Sequence, residues 1–290
     1  MLSLETVSTE DKPSSKAAWL IILVAAVAMY APTYWAAAGS IWQSEDNAHG
    51  ALVFIVVLWL FWRERTSISA CPAQPLYLQG GISFLLGLIF YVYGRTLESR
   101  SFEFLSPVFV ISGLLLVMKG RRALLAAWFP IFYLLFTIPL PAVIVDTLTG
   151  PLKQWISVLV ESALHGLGYP ISRAGVTIFI GQYQLLVADA CSGLHSIFSM
   201  AAIGTLYVYL RKNPSKLHNA IMLASILPIA FIANIIRVAL LVLITYYLGD
   251  EAGQGILHGA AGMVLMLFSL VCLFGLDIIL SRQSQKTSIR

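Results

Sequence analysis

The chain has 290 residues, 59% of them hydrophobic and only 11% charged, whereas a soluble domain carries about 25% charged residues. That excludes a soluble globular enzyme and points to a single integral-membrane domain over 1–290, since no long polar linker divides the chain. The formal charge of +4 does not imply a nucleic-acid partner, because the basic residues sit in short connections between apolar runs.

In chain order, a polar tail over 1–16 precedes an apolar run over 17–38. A signal-peptide core is about 7–15 residues long, so this run is expected to stay as a first span. Measured against the ~20 residues needed to cross a bilayer, the apolar runs predict eight transmembrane helices. They fall at roughly 18–39, 49–62, 79–95, 102–118, 123–140, 192–210, 216–247 and 256–280. Lys12, Lys16, Arg63, Arg65, Lys119, Arg121, Arg122, Arg211, Lys212, Lys216, Arg282, Lys286 and Arg290 then fall on one side; Arg95, Arg100, Lys153 and Arg173 fall on the other. The positive-inside rule makes both termini cytoplasmic, including the tail over 281–290. The seventh run contains Pro228, but two crossings there would put the basic tail outside, so one kinked or tilted helix is expected.

The longest external connection is 141–190. Ile144, Leu148, Leu152, Trp155, Leu159, Ala163 and Leu167 recur in it at helical spacing, with polar residues between. This predicts a periplasmic amphipathic helix on the membrane surface, interrupted near Gly150-Pro151. VTIFI-GQ-YQLLV then predicts a β-hairpin around a Gly-X turn. The expected fold class is an all-α polytopic membrane protein of about eight transmembrane helices, with this helix and hairpin before a cysteine motif.

That motif is ADACSGLHS, 188–196, at a strand-to-helix junction. Of three cysteines, Cys272 lies in an apolar run and reads as packing, and Cys71 lies in a cytoplasmic Pro-rich loop. A thiol at a helix start meets the partial positive charge of unpaired N–H groups and is more acidic than a buried one. Cys191 is therefore either a nucleophile or a small buried thiol beside a helix cap, and Ser192 and Gly193 fit a tight turn whose N–H groups could face an oxyanion. In the seventh span, Arg237 costs several kcal/mol in hydrocarbon unless it is paired, for instance with Glu103 or Asp189, or faces a polar cavity. Asn234 shares its helix face. His258 stands near the outer end of the eighth span, among glycines that allow close helix approach. Cys191, Arg237 and His258 thus fall toward the same side of the membrane. Together they would support cysteine-dependent acyl transfer: a thiolate attacks a carbonyl, a guanidinium stabilises the oxyanion, and an imidazole shuttles protons.

At ADACSGLHS, ANIIRV and GILHGAAG, and more weakly at DNAHGALVFIVVLWLFWRER, the chain resembles the exosortase/archaeosortase family. The resemblance implies a membrane cysteine protease or transpeptidase with a catalytic set at Cys191, Arg237 and His258; no P-loop, metal-cluster or dinucleotide fingerprint appears in the sequence, so no cofactor or metal is expected. It further implies exported protein substrates with a C-terminal sorting signal of PEP-CTERM type, cleaved at the periplasmic face of a bacterial inner membrane. Such systems accompany exopolysaccharide production, and the cleaved protein can pass to a surface or polysaccharide acceptor. The family commonly has arginine four residues after the cysteine, where this chain has His195; His195 is therefore an alternative base to His258. His49, near the outer end of the second span, is a candidate for substrate contact, whereas His165 and His218 read as surface residues. Two other readings are a transporter or polysaccharide-export component, with polar groups spread through the bilayer, and a His258-dependent acyltransferase in which Cys191 is dispensable. A non-catalytic accessory subunit would leave the Cys–Arg–His coincidence without a use.

Overall fold

The structure, a computed structural model, describes residues 15–43, 49–186, 193–211, 215–249 and 256–288. It divides into two compact units, 1–48 and 49–290. In the first, helix α1 (Ser15–Ala38) runs through Pro32 and ends in a short 3₁₀ turn, Ile41–Gln43. Ser40 Oγ donates to Ala36 O at 2.6 Å across that end.

In the second unit, α2 (His49–Ala70) is followed by an antiparallel pair, α3 (Tyr77–Thr96) and α4 (Arg100–Met118). Gly80, Gly87 and Gly94 of α3 recur every seventh residue and are all buried. A methyl group on Gly80 would stand 2.9 Å from Gly113 O, and one on Gly87 would stand 2.8 Å from the backbone N of Val110. The backbones approach this closely because these residues lack Cβ atoms. Ser83 Oγ to Phe109 O (2.9 Å) and Ser106 Oγ to Gly87 O (2.8 Å) tie the pair.

The expected fifth span is not one helix. It is α5 (Arg121–Ala126), α6 (Trp128–Tyr133) and a 3₁₀ turn over Leu134–Thr137. Pro130 can occupy the first turn of α6, where its missing N–H is not needed, and Pro139 and Pro141 end the segment. Tyr133 is buried here and donates to Ala202 O at 3.1 Å.

Helix α7 (Ala142–Gly166) passes straight through Gly150-Pro151, so the expected interruption is absent. Pro151 has no N–H to give to Thr147 O, yet the helix continues; in the turn before it Thr147 and Thr149 donate their hydroxyls to Val143 O and Val145 O. Its packing face also differs from the expected stripe. Ile156, Val160 and Leu164 are buried, whereas Trp155, Leu159 and Leu167 are exposed. The helix is apolar on two adjoining faces, and periodicity picked out the outer one. The inner face meets a three-stranded antiparallel meander of β1 (Ile171–Ala174), β2 (Thr177–Ile180) and β3 (Tyr183–Leu186). The expected hairpin is β2–β3, and β1 adds a strand to it. Both turns have two residues and begin with a glycine at positive φ, Gly175 (64°) and Gly181 (55°).

Three long helices complete the unit: α8 (Gly193–Arg211), α9 (Lys216–Leu248) and α10 (Ile256–Ser288). The seventh run is one helix through Pro228, as its charge distribution required. Among the described residues, five helices are long and apolar enough to cross a membrane: Leu20–Gln43, Tyr77–Thr96, Arg100–Met118, Lys216–Leu248 and Val264–Arg282. Trp128–Thr137 and Ile197–Arg211 are shorter apolar helices.

Candidate active site

The site is built on α8, α9 and α10, which pack on one another around Met200, Met222, Ile226, Ala230 and Leu273. At the centre of that cluster, a methyl group on Gly204 would stand 2.6 Å from Ile226 Cδ1 and 3.6 Å from Leu273 Cδ2. Gly204, Ile226 and Leu273 therefore form one layer across the three helices. α8 and α10 both run antiparallel to α9, so equal steps from that layer lead to equal depth. Eleven residues along each helix lie Gly193, Arg237 and Gly262, about 16 Å away at 1.5 Å per residue. A direct contact bears out the α9–α10 half of this count. The guanidinium of Arg237 lies against Gly262, with Nη2 3.4 Å and Cζ 3.5 Å from where a Cβ would be.

Arg237 is 7% exposed and Asn234 2%. They share one face of α9, while Val238 and Val242 on a neighbouring face pack with Ile178, Ile180 and Leu185 of the sheet and Ile156 and Val160 of α7. β3 is thus packed on the stretch of α9 that carries Arg237, and the chain leaves β3 directly for the cysteine motif. Glu103, a considered partner for Arg237, is engaged by Arg95 (3.7 Å) and Arg100 (3.2 Å).

Cys191, Ser192 and Asp189 lie outside the described residues. Gly193 is the first residue of α8, so the strand-to-helix junction falls where the sequence puts it. His195 is on the first turn of α8, and His258 is on the first turn of α10, one turn before Gly262; nothing is described of their side chains. His49 begins α2. Tyr209 of α8 donates to Glu64 of α2 at 2.9 Å. His49 and Leu194 lie fifteen residues back from this contact on two helices that run the same way, so His49 falls at the site end. His165 is exposed, as expected.

His218 is not a surface residue. It is buried, with Nε2 2.7 Å from Asp277 Oδ1. Tyr207 donates to Asp277 Oδ2 at 2.6 Å, and Arg211 pairs with the same carboxylate. This cluster lies at the opposite end of the three helices from Arg237. A single sequence does not reveal that residues 59 positions apart meet. The available signal was an aspartate, Asp277, inside an apolar run, which implies a buried partner. Among the described residues no group of three or more His, Cys, Asp or Glu is arranged to hold a metal.

An apolar bundle of long helices with a buried arginine among the last three defines a polytopic α-helical membrane protein. The model of the transmembrane exosortase family matches residues 41–275, so the chain belongs to that family. No curated protein and no solved structure matches it.

Proposed function

We propose that this exosortase-family membrane protein is a cysteine peptidase or transpeptidase that cleaves C-terminal sorting signals of PEP-CTERM type. Cleavage takes place at the periplasmic face of the bacterial inner membrane, with both termini in the cytoplasm, in a system linked to exopolysaccharide production. The observation that supports this reading is the contact of the buried Arg237 guanidinium with Gly262, one turn after His258. Counting along the antiparallel helices brings the start of α8, which follows Cys191, toward the same depth.

In this mechanism the Cys191 thiolate attacks the scissile carbonyl carbon, and the oxygen takes up the negative charge. Arg237, held against Gly262 and shielded from water, stabilises that oxyanion, where a fixed positive charge is worth more than it is in bulk solvent. The C–N bond breaks as the imidazole of His258 delivers a proton to the departing amine. This leaves an acyl thioester, which water or a surface or polysaccharide acceptor resolves, regenerating the thiolate. Asn234, Ser192 and Gly193 line the site, His195 is the alternative base, and His49 contacts substrate.

A transport role needs polar groups in a continuous path. The Arg237 end and the Asp277 end are separated by the apolar layer of Met200, Ile226, Ala230 and Leu273, which favours a site over a path. The test is co-expression with a tagged substrate bearing a PEP-CTERM-type tail, comparing wild type, Cys191→Ala and Cys191→Ser at matched membrane levels. Shortening of the substrate by wild type alone supports the mechanism. Continued processing by the alanine variant refutes the nucleophile assignment and favours a His258-dependent acyltransferase.

A further inference from the structure

Asp277 is buried among partners from all three helices of the site. His218 Nε2 lies 2.7 Å from its Oδ1 and comes from the start of α9. Tyr207 and Arg211 come from the end of α8, the former donating to Oδ2 at 2.6 Å and the latter pairing with Oδ1. Arg211 also contacts His218 at 3.4 Å and donates to Ser281 Oγ at 2.8 Å; Ser281 in turn donates to Asp277 O at 2.5 Å. Tyr207 is held edge-on to Phe274, with ring centroids 4.9 Å apart. Holding three apolar helices together does not require a buried carboxylate; directional contacts fix the axial position of each helix, which apolar packing leaves free to slide.

The spacing gives that fixation a consequence. Nineteen residues separate His218 from Arg237 on α9, and nineteen separate His258 from Asp277 on the antiparallel α10. Pinning His218 to Asp277 therefore fixes the register about 28 Å away, where Arg237 lies against Gly262, one turn along α10 from position 258. We propose that Asp277, with His218, Arg211 and Tyr207, is a positioning cluster that sets the helix register on which the Cys191–Arg237–His258 arrangement depends. This rests on the catalytic reading above.

The test reads the acidity of Cys191 in the full-length protein, using a Cys71→Ser, Cys272→Ala background in which Cys191 is the sole thiol. The rate of its alkylation by iodoacetamide is followed against pH. The background protein should label with a midpoint below that of an ordinary thiol, about 8.5. Arg237→Gln should raise this midpoint by about one unit, a tenfold slower labelling at neutral pH. Asp277→Asn should raise it as well, and Asp277→Glu should restore part of the shift. A purely structural Asp277 would lower the melting temperature and leave the Cys191 profile unchanged, which would overturn the proposal. An unchanged profile in Arg237→Gln would instead overturn the catalytic reading, and this proposal with it. Where Asp277→Asn fails to accumulate, His218→Gln and Tyr207→Phe each remove one partner of the carboxylate and carry the same comparison.

Discussion

The α3–α4 pair and the α8–α9–α10 trio are both packed apolar helices, yet they are held together by different means. In the pair, glycines at every seventh position bring backbone against backbone, and hydroxyl-to-carbonyl bonds from Ser83 and Ser106 join the two helices. Its buried carboxylate, Glu103, is matched at the turn by Arg95 and Arg100. In the trio, side chains of Met, Ile and Leu fill the middle, and buried ionisable residues occupy both ends. Close backbone packing is sufficient where an element only has to be rigid. Charges that are costly to bury persist in the three helices where the proposed chemistry and its register require them.

Substitutions can break this contrast. The largest effect is expected for Arg237→Ala, which should slow substrate processing by about 10²–10³-fold with little change in membrane level. An equal loss of folded protein would make the residue structural. Next is Gly87→Val, whose Cβ meets the backbone of Val110 at 2.8 Å. Overpacking of this kind costs about 1–3 kcal/mol and should appear as a lower melting temperature, with the activity of the remaining folded protein preserved. Gly262→Leu sharpens the comparison from the other side. Its Cβ would already be in contact with Arg237 Nη2 at 3.4 Å, so the rest of the side chain displaces the guanidinium, and moving it from its rotamer costs about 0.5–1.5 kcal/mol. Processing should fall roughly threefold to tenfold while the melting temperature holds. Smallest is Glu161→Gln. It breaks the partly exposed pair with Arg173 at 2.7 Å and should lower stability by about 0.2–1 kcal/mol in a thermal melt.

The features that were legible in the sequence were those written in one segment. α9 runs unbroken through Pro228, as expected from the charges around it, and Gly181-Gln182 marked its turn directly. β1 was missed although Gly175-Val176 carries the same turn signature, because Ser172 and Arg173 dilute the apolar alternation before it. The division of the fifth apolar run into short helices is not legible in its composition, because the apolar residues mask the effect of Pro130 and Pro139. The stripe through Trp155 and Leu159 is a true helical period, but a helix apolar on two faces does not reveal which one is covered. Arg237 and Asn234 stood out because a buried charge is expensive anywhere in a membrane span. His218 and Asp277 belong to different segments, and only the fold brings them together.

The central claim is that the cysteine motif and the start of α10 share one site. It is tested most directly by a short bifunctional thiol cross-linker applied to membranes carrying a Cys71→Ser, Cys272→Ala chain. A second thiol is introduced by His258→Cys in one sample and by Leu267→Cys in another. Cross-linking of Cys191 to position 258 but not to position 267 is the predicted result. Bridging to 267 with none to 258 would place the cysteine at another depth and contradict the account.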